Sequence, residues 1–312
     1  MIVGVDVGGT KTHIRVVDAE GRTRDLRVST ASWLEGRSLE HPTSVEGLLA
    51  AIARLEPAAG AAPLAVGAHG CDTPAQISAF RAALAARRPG DVLVTNDAAL
   101  VGPAAGVERA IGVIAGTGSI VVGADAATRP VTAGGHGWLL ADPGSAPGIV
   151  REAVIAVLED ADAGGSGDRL GPALMAHYSA ASANDLAWVL TAQAGIHRWA
   201  EAAPLVFDAA DGGSAVAATV IQRAGAALGR QVAQVLRRGA VADAVVAAGG
   251  VVTNQPRLAC AIEAELRRRD VRLPFRVLDT PPVAGAIALG ARLEHTGAPS
   301  IHPWMTDQRR QK

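Results

Sequence analysis

The sequence predicts an α/β protein with two similar halves, each built around its own β-sheet. The chain has 312 residues, 49% of them hydrophobic, which is enough for two domains of ordinary size. Short apolar runs typical of buried strands alternate with longer segments of helical spacing. A strand–turn–strand pattern at residues 4–11 recurs at residues 112–119, which indicates an internal duplication. The repeat is short, so chance similarity is the alternative.

The first half is predicted to begin with three strands, at residues 2–7, 13–17 and 25–28. A helix follows from Ser44, because apolar side chains recur there at helical spacing until Pro57. Three further elements complete this half: a strand at 64–68, a helix at 74–88 that starts at a proline, and a strand at 91–95.

The second half is predicted to repeat the strand unit and then to become mainly helical. The second strand of the repeat lies at 120–123, and a third strand lies at 129–132. The later elements are helices at 148–158, 186–193, 214–238, 256–268 and 283–293, with strands at 243–248 and 275–278. We therefore predict a first domain over 1–110, a second domain with a helical insertion over 111–295, and a polar tail at 296–312.

Composition and charge exclude several classes of protein. The 29 basic and 30 acidic side chains leave a net charge of −1, which provides no field for binding a nucleic acid or an anionic membrane. No apolar run reaches the roughly 20 residues that span a bilayer, and the first residues lack a basic leader. Cys71 and Cys260 are too few for a disulfide framework or a four-thiolate metal site, and we expect both to be buried. These features predict a soluble, cytoplasmic protein.

The first candidate site is the glycine-rich turn after the first strand. Gly8, Gly9 and Thr10 offer closely spaced backbone N–H groups and one hydroxyl, which suit a phosphate group. Asp6 ends the strand, and its carboxylate can hold Mg²⁺ through water beside a polyphosphate. Lys11 follows at once, whereas every other cation in the folded body is an arginine. The spacing is not that of a Walker-type loop, and an ordinary hairpin turn is the alternative.

Two further glycine pairs strengthen the phosphate interpretation. Thr117, Gly118 and Ser119 form a second glycine and hydroxyl turn on the repeated unit. Two such turns facing each other across a cleft would hold a phosphate chain from both sides. Gly249 and Gly250 follow a third buried strand and allow close approach of the backbone to a nucleoside. Each feature alone is also compatible with a tight connection.

Taken together, these motifs resemble a known family. The matching segments are 4–12 (GVDVGGTKT), 96–98 (NDA), 116–119 (GTGS), 134–145 (GGHGWLLADPGS) and the strand end at Gly249 and Gly250. In this order they resemble the actin-like ATPase superfamily of sugar kinases and hexokinases. More narrowly, the chain is similar to the N-acetylglucosamine kinase and BadF/BadG-type ATPase family, over residues 2–294.

The resemblance implies two ribonuclease-H-like domains that close on ATP and a sugar. It implies that the first turn binds phosphates and Mg²⁺, that the second turn binds phosphates, and that the third glycine pair holds adenosine. The residues expected to bind ATP are Asp6, Gly8, Gly9, Thr10, Lys11, Thr117, Gly118, Ser119, Gly249 and Gly250. The residues expected to bind the sugar are Asn96, Asp97, Thr117, Gly118, His136, Gly137 and Asp142. A homodimer is a further expectation at the level of the family.

Asp97 is the expected catalytic residue, because the family uses the aspartate at this position as a general base for the sugar hydroxyl. The residues themselves agree with this role, since Asp97 follows a strand and would lie at the carboxyl edge of a sheet, where clefts open. The alternative is a helix N-cap, a position that Asp favours. Asp142, which precedes a predicted helix, has the same alternative.

Three departures from the family pattern concern the sugar. His136 stands where the family usually has tryptophan, and Pro143 stands where it has glutamate. Members specific for N-acetylglucosamine carry asparagine at the places of Ala31 and Ile120. Loss of polar partners alters selectivity, because matched hydrogen bonds discriminate more strongly than apolar fit. The remaining histidines have no metal-ligand spacing, and we expect structural or surface roles for them: His13, His41, His69, His177, His197, His295 and His302.

The sequence thus predicts an ATP-dependent kinase that phosphorylates N-acetylglucosamine or glucosamine, at the 6-hydroxyl. One alternative is an ATPase that acts on a partner protein, although the cysteines that bind a cluster in known activators are missing. Others are a kinase for a different hexose and a sensor without turnover.

Overall fold

The computed structural model describes residues 1–34, 36–127, 129–193 and 195–296. Two five-stranded mixed sheets form its frame. The strands of the first sheet are β1 (Ile2–Val7), β2 (Lys11–Val17), β3 (Thr23–Ser29), β4 (Leu64–Ala68) and β5 (Val92–Thr95). Those of the second are β6 (Ala110–Ala115), β7 (Ser119–Ala124), β8 (Pro130–Gly134), β9 (Ala244–Ala248) and β10 (Phe275–Val277).

Both sheets have the same topology. In the first, with strand order β3-β2-β1-β4-β5, the β1–β2 and β2–β3 pairs are antiparallel, whereas β4 and β5 continue the sheet in parallel with β1. The second sheet repeats this arrangement as β8-β7-β6-β9-β10. The strand–turn–strand units detected in the sequence are therefore equivalent parts of two similar sheets. Parallel strands also bring their carboxyl ends to one edge of each sheet.

Helices cover the sheets and form a large insertion between β8 and β9. They are α1 (Ala31–Leu34), α2 (Pro42–Leu55), α3 (Pro74–Ala85), α4 (Val101–Ala104), α5 (Ala146–Asp162), α6 (Leu170–Tyr178), α7 (Ala183–Gln193), α8 (Ile196–Glu201), α9 (Ala203–Asp211), α10 (Ala215–Arg237), α11 (Gly250–Asn254), α12 (Pro256–Arg268) and α13 (Val283–Thr296). Short 3-10 helices occupy Pro57–Ala61 and Asp97–Leu100. In the described part of the chain no helix alone is long and apolar enough to cross a membrane; only the pair Ile196–Asp211 and Ala215–Arg237, bent by 116°, meets that test of length and composition.

The interior is apolar on both sheets. The interior strands β4 and β9 are buried at all five positions, as expected for parallel strands covered on both faces. Ile14, Leu48 and Phe80 are among the fully buried side chains of the first sheet's core. Ile149 and Phe207 have the same role in the core of the second sheet and its helices. These cores fix the strand ends from which the polar residues project.

The last helix, α13, packs on the first sheet although it follows the second in sequence. Two glycines allow the close approach. A Cβ atom at Gly4 would lie 2.9 Å from Ile287 Cδ1, and one at Gly290 would lie 2.6 Å from Ile2 Cγ2. The division at residue 110 remains a prediction, and α13, which it assigns to the second domain, packs on strands of the first sheet. Most of the predicted polar tail lies outside the described residues, which end at 296.

The two cysteines differ in exposure. Cys71 is buried, and burial with the nearby charge of Asp72 raises the pKa of its thiol to about 12. Cys260 is exposed, so the expectation that both thiols are buried is wrong for this residue. The reason is helical geometry, because the buried face of α12 passes through Leu258 and Ile262, two positions to either side.

Candidate active site

A cleft of about 570 Å³ lies between the carboxyl edges of the two sheets. Most of the residues proposed from the sequence line it together: Asp6, Gly8, Gly9, Thr10, Lys11, Asn96, Asp97, Thr117, Gly118, Ser119, Gly137, Asp142 and Gly249. His136 and Gly250 do not line it. The location agrees with the general rule that ligands of α/β sheets bind beyond the carboxyl ends of the strands.

The first glycine turn connects β1 to β2 and is closed by a short hydrogen bond. The N–H of Gly8 donates to the carbonyl of Lys11 at 3.0 Å. The carbonyl of Thr10 accepts a hydrogen bond from the N–H of Thr30 at 3.0 Å. The turn is therefore a hairpin, as the alternative interpretation held, and it also lines the cleft.

A chain of buried hydrogen bonds between an indole and two hydroxyl groups holds this turn in place. The indole Nε1 of Trp33 donates to Thr12 Oγ1 at 3.0 Å, and Thr12 Oγ1 lies 3.0 Å from Thr30 Oγ1. Thr30 Oγ1 in turn donates to the carbonyl of Gly8 at 2.8 Å. The turn is thus held by side chains from β2 and from the segment that leads into α1.

The second turn, between β6 and β7, is anchored to the segment that precedes α5. The N–H of Gly116 donates to the carbonyl of Gly118 at 2.9 Å, which closes the turn. Ser119 Oγ donates to the carbonyl of Pro143 at 2.8 Å, and the N–H of Ala146 donates to the carbonyl of Gly116 at 2.8 Å. The hydroxyl of Ser119 is therefore occupied within the protein, whereas Thr117 and Gly118 remain half-exposed in the cleft.

The third glycine pair follows β9 and contacts the second turn. Gly249 has a φ of +110°, and a Cβ atom there would lie 2.5 Å from the carbonyl oxygen of Ala115. Only glycine fits such a position without a shift of the backbone. A Cβ atom at Gly116 would lie 3.5 Å from the N–H nitrogen of Gly250. Gly250 is thus adjacent to the second turn, although it lies outside the cleft lining.

Asp97 lies directly after β5, in the first turn of a 3-10 helix whose N-cap is its neighbour Asn96. Asn96 Oδ1 accepts the N–H of Ala98 at 2.9 Å, and Asp97 Oδ1 accepts the same N–H at 3.0 Å. Asn96 Nδ2 donates to the carboxylate of Asp72 at 2.9 Å. Because Asn96 already caps the helix, capping does not account for a carboxylate at position 97.

Asp6 and Asp97 are half-buried carboxylates in the cleft, and we call the part of the cleft around them its floor. Burial raises the pKa of Asp6 to about 7, with a further contribution from the charge of Asp97. Burial also raises the pKa of Asp97, and Asp72 adds to this effect while His69 opposes it. Close carboxylates disfavour each other's ionised forms, and a cation placed near them would restore ionisation. The floor of the cleft is therefore suited to a cationic ligand that accompanies an anionic one.

Asp142 connects the second turn to the segment at 134–145. It is only 5% exposed, and its Oδ1 accepts the N–H of Gly137 at 3.2 Å. A Cβ atom at Gly118 would lie 3.5 Å from Asp142 Oδ2. Burial raises the pKa of Asp142, against backbone N–H groups that lower it. The N-cap of α5 is Ser145, so the capping alternative does not apply to Asp142.

The positions that depart from the family pattern differ in whether they line the cleft. His136 is exposed and outside the cleft lining, so the structure does not bring it to the other predicted residues. Trp138 lines the cleft instead, with its ring centroid 5.4 Å from that of Trp199. Ile120, where an asparagine was expected, also lines the cleft, whereas Ala31 does not.

A comparison with protein-family models matches residues 3–294 to the BadF/BadG/BcrA/BcrD ATPase family. The chain belongs to this family. The match covers both sheets except Ile2 and every cleft residue named above, so the family resemblance predicted from the motifs is confirmed.

Among curated proteins, this family member is 27% identical over 170 residues to an N-acetylmuramic acid/N-acetylglucosamine kinase from Clostridium acetobutylicum. The match covers 52% of this chain and 54% of that kinase, so the chain spans about half the length of the relative it matches.

Solved structures confirm the predicted fold. A candidate N-acetylglucosamine kinase from Chromobacterium violaceum is 23% identical, with a TM-score of 0.67 over 93% of this chain and 98% of its own. A candidate N-acetylglucosamine kinase from Porphyromonas gingivalis is 19% identical, with a TM-score of 0.67 over 96% and 100% of the two chains. A ROK family glucokinase from Streptomyces griseus, in complex with glucose and AMPPNP, is 20% identical, with a TM-score of 0.58 over 92% and 97%. The fold is thus that of actin/hexokinase-like sugar kinases.

Sequence reasoning missed several residues that line the cleft, among them His69, Asp72 and Trp138. The sequence predicted a structural or surface role for His69; the structure places it exposed in the cleft. The available signal was its position directly after β4, which is parallel to and between β1 and β5. Polar residues that follow such a strand face the same edge as Asp6 and Asp97.

Proposed function

We propose that this protein is an ATP-dependent sugar kinase that transfers the γ-phosphoryl group of ATP to N-acetylglucosamine or glucosamine. The observation that carries the proposal is the cleft itself, in which two glycine turns from two sheets face a carboxylate at a strand end. Membership of an ATPase family and the match to a kinase of N-acetylmuramic acid and N-acetylglucosamine support it. The acceptor atom in this proposal is the oxygen of the 6-hydroxyl group.

The nucleotide would lie across both turns. The backbone N–H groups of Gly9 and Thr10 and those of Thr117 and Gly118 would donate to phosphate oxygens from opposite sides of the cleft. The adenosine would lie against the strand end at Gly249. Its proximity to the second turn, where Gly249 meets the backbone of Ala115, supports this placement.

The donor set at the cleft floor fits Mg²⁺. The ion prefers oxygen ligands, keeps several waters and is commonly held by one or two carboxylates together with substrate phosphates. Asp6 supplies such a carboxylate, and the raised pKa of about 7 reflects a burial and a repulsion that a cation would offset. No group of three or more His, Cys, Asp or Glu side chains in the described ranges could hold a metal alone. The ion would arrive with the nucleotide and neutralise charge on its phosphates.

The chemistry assigned to this chain is positioning and proton transfer. The sugar hydroxyl would lie against Asp97 with its oxygen in line with the γ-phosphorus. As the new oxygen–phosphorus bond forms and the bond to the ADP oxygen breaks, the hydroxyl proton passes to the carboxylate of Asp97. Asn96 caps the helix, so the cap does not depend on Asp97 alone, and the donation of Asn96 to Asp72 orients the strand end.

The sugar would be held mainly by the second half of the chain. Asp142 is buried beside the second turn, and its Oδ2 lies near Gly118, where a sugar hydroxyl could reach it. Gly137 and Trp138 would form one wall of this subsite. A role of His136 in sugar binding stays a prediction, because this exposed residue lies outside the cleft lining. The apolar side chain of Ile120 would make selection for the N-acetyl group weaker than in relatives with a polar residue there.

The test is a coupled assay of ADP release with purified protein, ATP and Mg²⁺, with and without a panel of sugars. The panel contains N-acetylglucosamine, glucosamine, glucose, N-acetylmuramic acid and 6-deoxy-N-acetylglucosamine. We expect release that depends on an amino sugar and is absent with the 6-deoxy sugar, and ³¹P NMR should identify a phosphate monoester at carbon 6. Sugar-independent release would instead support an ATPase that acts on a partner, and release with glucose alone would support a different hexose kinase.

A further inference from the structure

His69 occupies the central place on the cleft floor. It directly follows β4, whose parallel neighbours β1 and β5 lead to the first glycine turn and to Asp97. Its backbone N–H donates to the carbonyl of Val7 at 2.8 Å, which fixes the residue beside the end of β1. The residue therefore lies between the turn proposed to bind phosphate and the carboxylate proposed to accept the proton.

The imidazole ring of His69 lies against the turn and acts electrostatically on Asp97. A Cβ atom added at Gly9 would lie 3.7 Å from His69 Cδ2 and 4.0 Å from His69 Nε2, so the ring is in van der Waals reach of the turn. On its other side, a positive charge on His69 would lower the pKa of Asp97. Because β4 lies between β1 and β5, a group that passes from the turn to a hydroxyl at Asp97 passes close to this residue.

The ring is also available to a ligand. Among the described residues, no hydrogen bond is made by the ring nitrogens of His69, and the residue is exposed in the cleft. Two other histidines of the same half are engaged. His13 Nε2 lies 2.6 Å from Asp25 Oδ1, and His41 Nδ1 accepts the N–H of Thr43 at 3.3 Å. The ring nitrogens of His69 can therefore donate to a ligand oxygen bound in the cleft.

We propose that the imidazole N–H of His69 donates a hydrogen bond to an oxygen of the γ-phosphoryl group as that group moves from ATP to the sugar. This inference rests on the kinase function proposed above. In the step, the bond between the γ-phosphorus and the ADP oxygen breaks and the bond to the sugar oxygen forms. The hydroxyl proton passes to Asp97, ADP leaves, and His69 keeps its own proton throughout.

The proposal separates His69 from a residue that binds the sugar or the adenosine. A donor aimed at the γ-phosphoryl oxygens strengthens as charge is redistributed in the transition state, so its loss lowers kcat more than it raises either KM. Removal of one such donor costs roughly 10²-fold to 10³-fold in kcat in well-studied sites. ADP lacks the γ-phosphoryl group, so its affinity does not depend on this contact.

The test compares His69→Ala and His69→Gln with the wild type and with His177→Ala, a control at an exposed histidine on α6. We expect His69→Ala to lose about 10²-fold in kcat with little change in the KM for sugar. His69→Gln, which places an amide N–H near the position of the imidazole nitrogen, should recover part of the loss. His177→Ala should match the wild type. An unchanged kcat in His69→Ala, or a loss carried entirely by the KM for sugar, would overturn the proposal.

A binding measurement separates this inference from the proposed function. Calorimetry with ADP and with a non-hydrolysable ATP analogue, both with Mg²⁺, needs no sugar and no turnover. The preference for the ATP analogue over ADP should fall about tenfold in His69→Ala, the size expected for one hydrogen bond to a charged group. If the wild type releases no ADP with any sugar, the kinase proposal fails. An unchanged preference in His69→Ala overturns the role of His69 in either case. Melting temperatures of all variants identify any that fail to fold.

Discussion

The hydroxyl oxygens of Thr12 and Thr30 lie 3.0 Å apart beneath the first glycine turn, in side chains that are 0% and 3% exposed. The direction of the chain follows from its ends. Thr30 donates to the carbonyl of Gly8, which can only accept, so the hydroxyl of Thr12 must donate to Thr30. Thr12 in turn accepts from the indole of Trp33. Every member of this chain is satisfied, and the conformation of the turn at Gly8 depends on Trp33, 25 positions later in the sequence.

Substitution of Thr30 by valine should weaken both the fold and nucleotide binding. Thr30→Val keeps the shape but leaves the carbonyl of Gly8 and the hydroxyl of Thr12 without their buried partner, which costs about 1–3 kcal/mol in the free energy of unfolding. The released turn should also raise the KM for ATP. Thr30→Ser keeps the hydroxyl and is the matched control. Urea unfolding and ATP titrations check both effects, and equal behaviour of the two variants would contradict this role.

Gly249 and Gly250 should respond differently to alanine. At Gly249, alanine would have a φ of +110° and a Cβ atom 2.5 Å from the carbonyl oxygen of Ala115. Such strained conformations cost roughly 1–3 kcal/mol, and the contact adds to this. At Gly250, no atom lies within 4 Å of the added Cβ atom, so Gly250→Ala should unfold near the wild-type denaturant midpoint. A smaller loss in Gly249→Ala than in Gly250→Ala would show that the backbone relaxes around position 249.

The raised pKa of Asp6 predicts a pH-dependent stability in the absence of nucleotide and Mg²⁺. The folded protein holds this proton up to about pH 7, whereas an unfolded aspartate releases it near its ordinary pKa of 3.8. The group therefore stabilises the fold most below pH 3.8, and this contribution is lost as the pH rises towards 7. Asp6→Asn removes the dependence. Its free energy of unfolding relative to the wild type should rise by up to about 2 kcal/mol between pH 5 and pH 8.

The difference between the two proteins isolates Asp6, together with its coupling to Asp97, from the other titrating groups. Burial is the chief cause that lowers the pKa of His13. Its contribution to the free energy of unfolding therefore increases as the pH rises, opposite to that of Asp6. Because His13 is present in both proteins, its contribution cancels in the comparison. Urea unfolding at several pH values in a chelating buffer gives the measurement. A constant difference between variant and wild type would mean that Asp6 is ionised at its ordinary pKa in the folded protein.

Local patterns were sufficient to predict the strands and the turns of the site. Continuous apolar runs placed β1, β4 and β9, because such runs are typical of parallel strands buried on both faces. The glycine motifs and the pair Asn96 and Asp97 then marked the strand ends, so Asp6 and Asp97 could be placed at one edge before any contact was known. The short helices α8 and α9, of 6 and 9 residues, lacked enough turns for a helical pattern to be recognised.

The residues that were missed depend on contacts between distant segments. Thr30 supports the first turn only because β2 and β3 pair in a register that brings residue 30 back to Thr10. Asp72 faces the cleft because Asn96, 24 positions later, holds its carboxylate. The packing of α13 on the first sheet crosses most of the chain and has no local signature. Sequence periodicity describes the face that a residue occupies, and it does not describe which distant segment covers that face.

The central test of the mechanism is Asp97→Asn. Asparagine keeps the shape and can still accept the N–H of Ala98 but cannot take up the hydroxyl proton, so kcat should fall by roughly 10²-fold to 10⁴-fold. The melting temperature at neutral pH should not fall, because Asn96 caps the helix and burial already disfavours the ionised form of Asp97. Nucleotide affinity should persist, since Asp6 and the glycine turns are unchanged. Near-normal kcat together with a large fall in melting temperature would make Asp97 a structural residue and would contradict the proposed proton transfer.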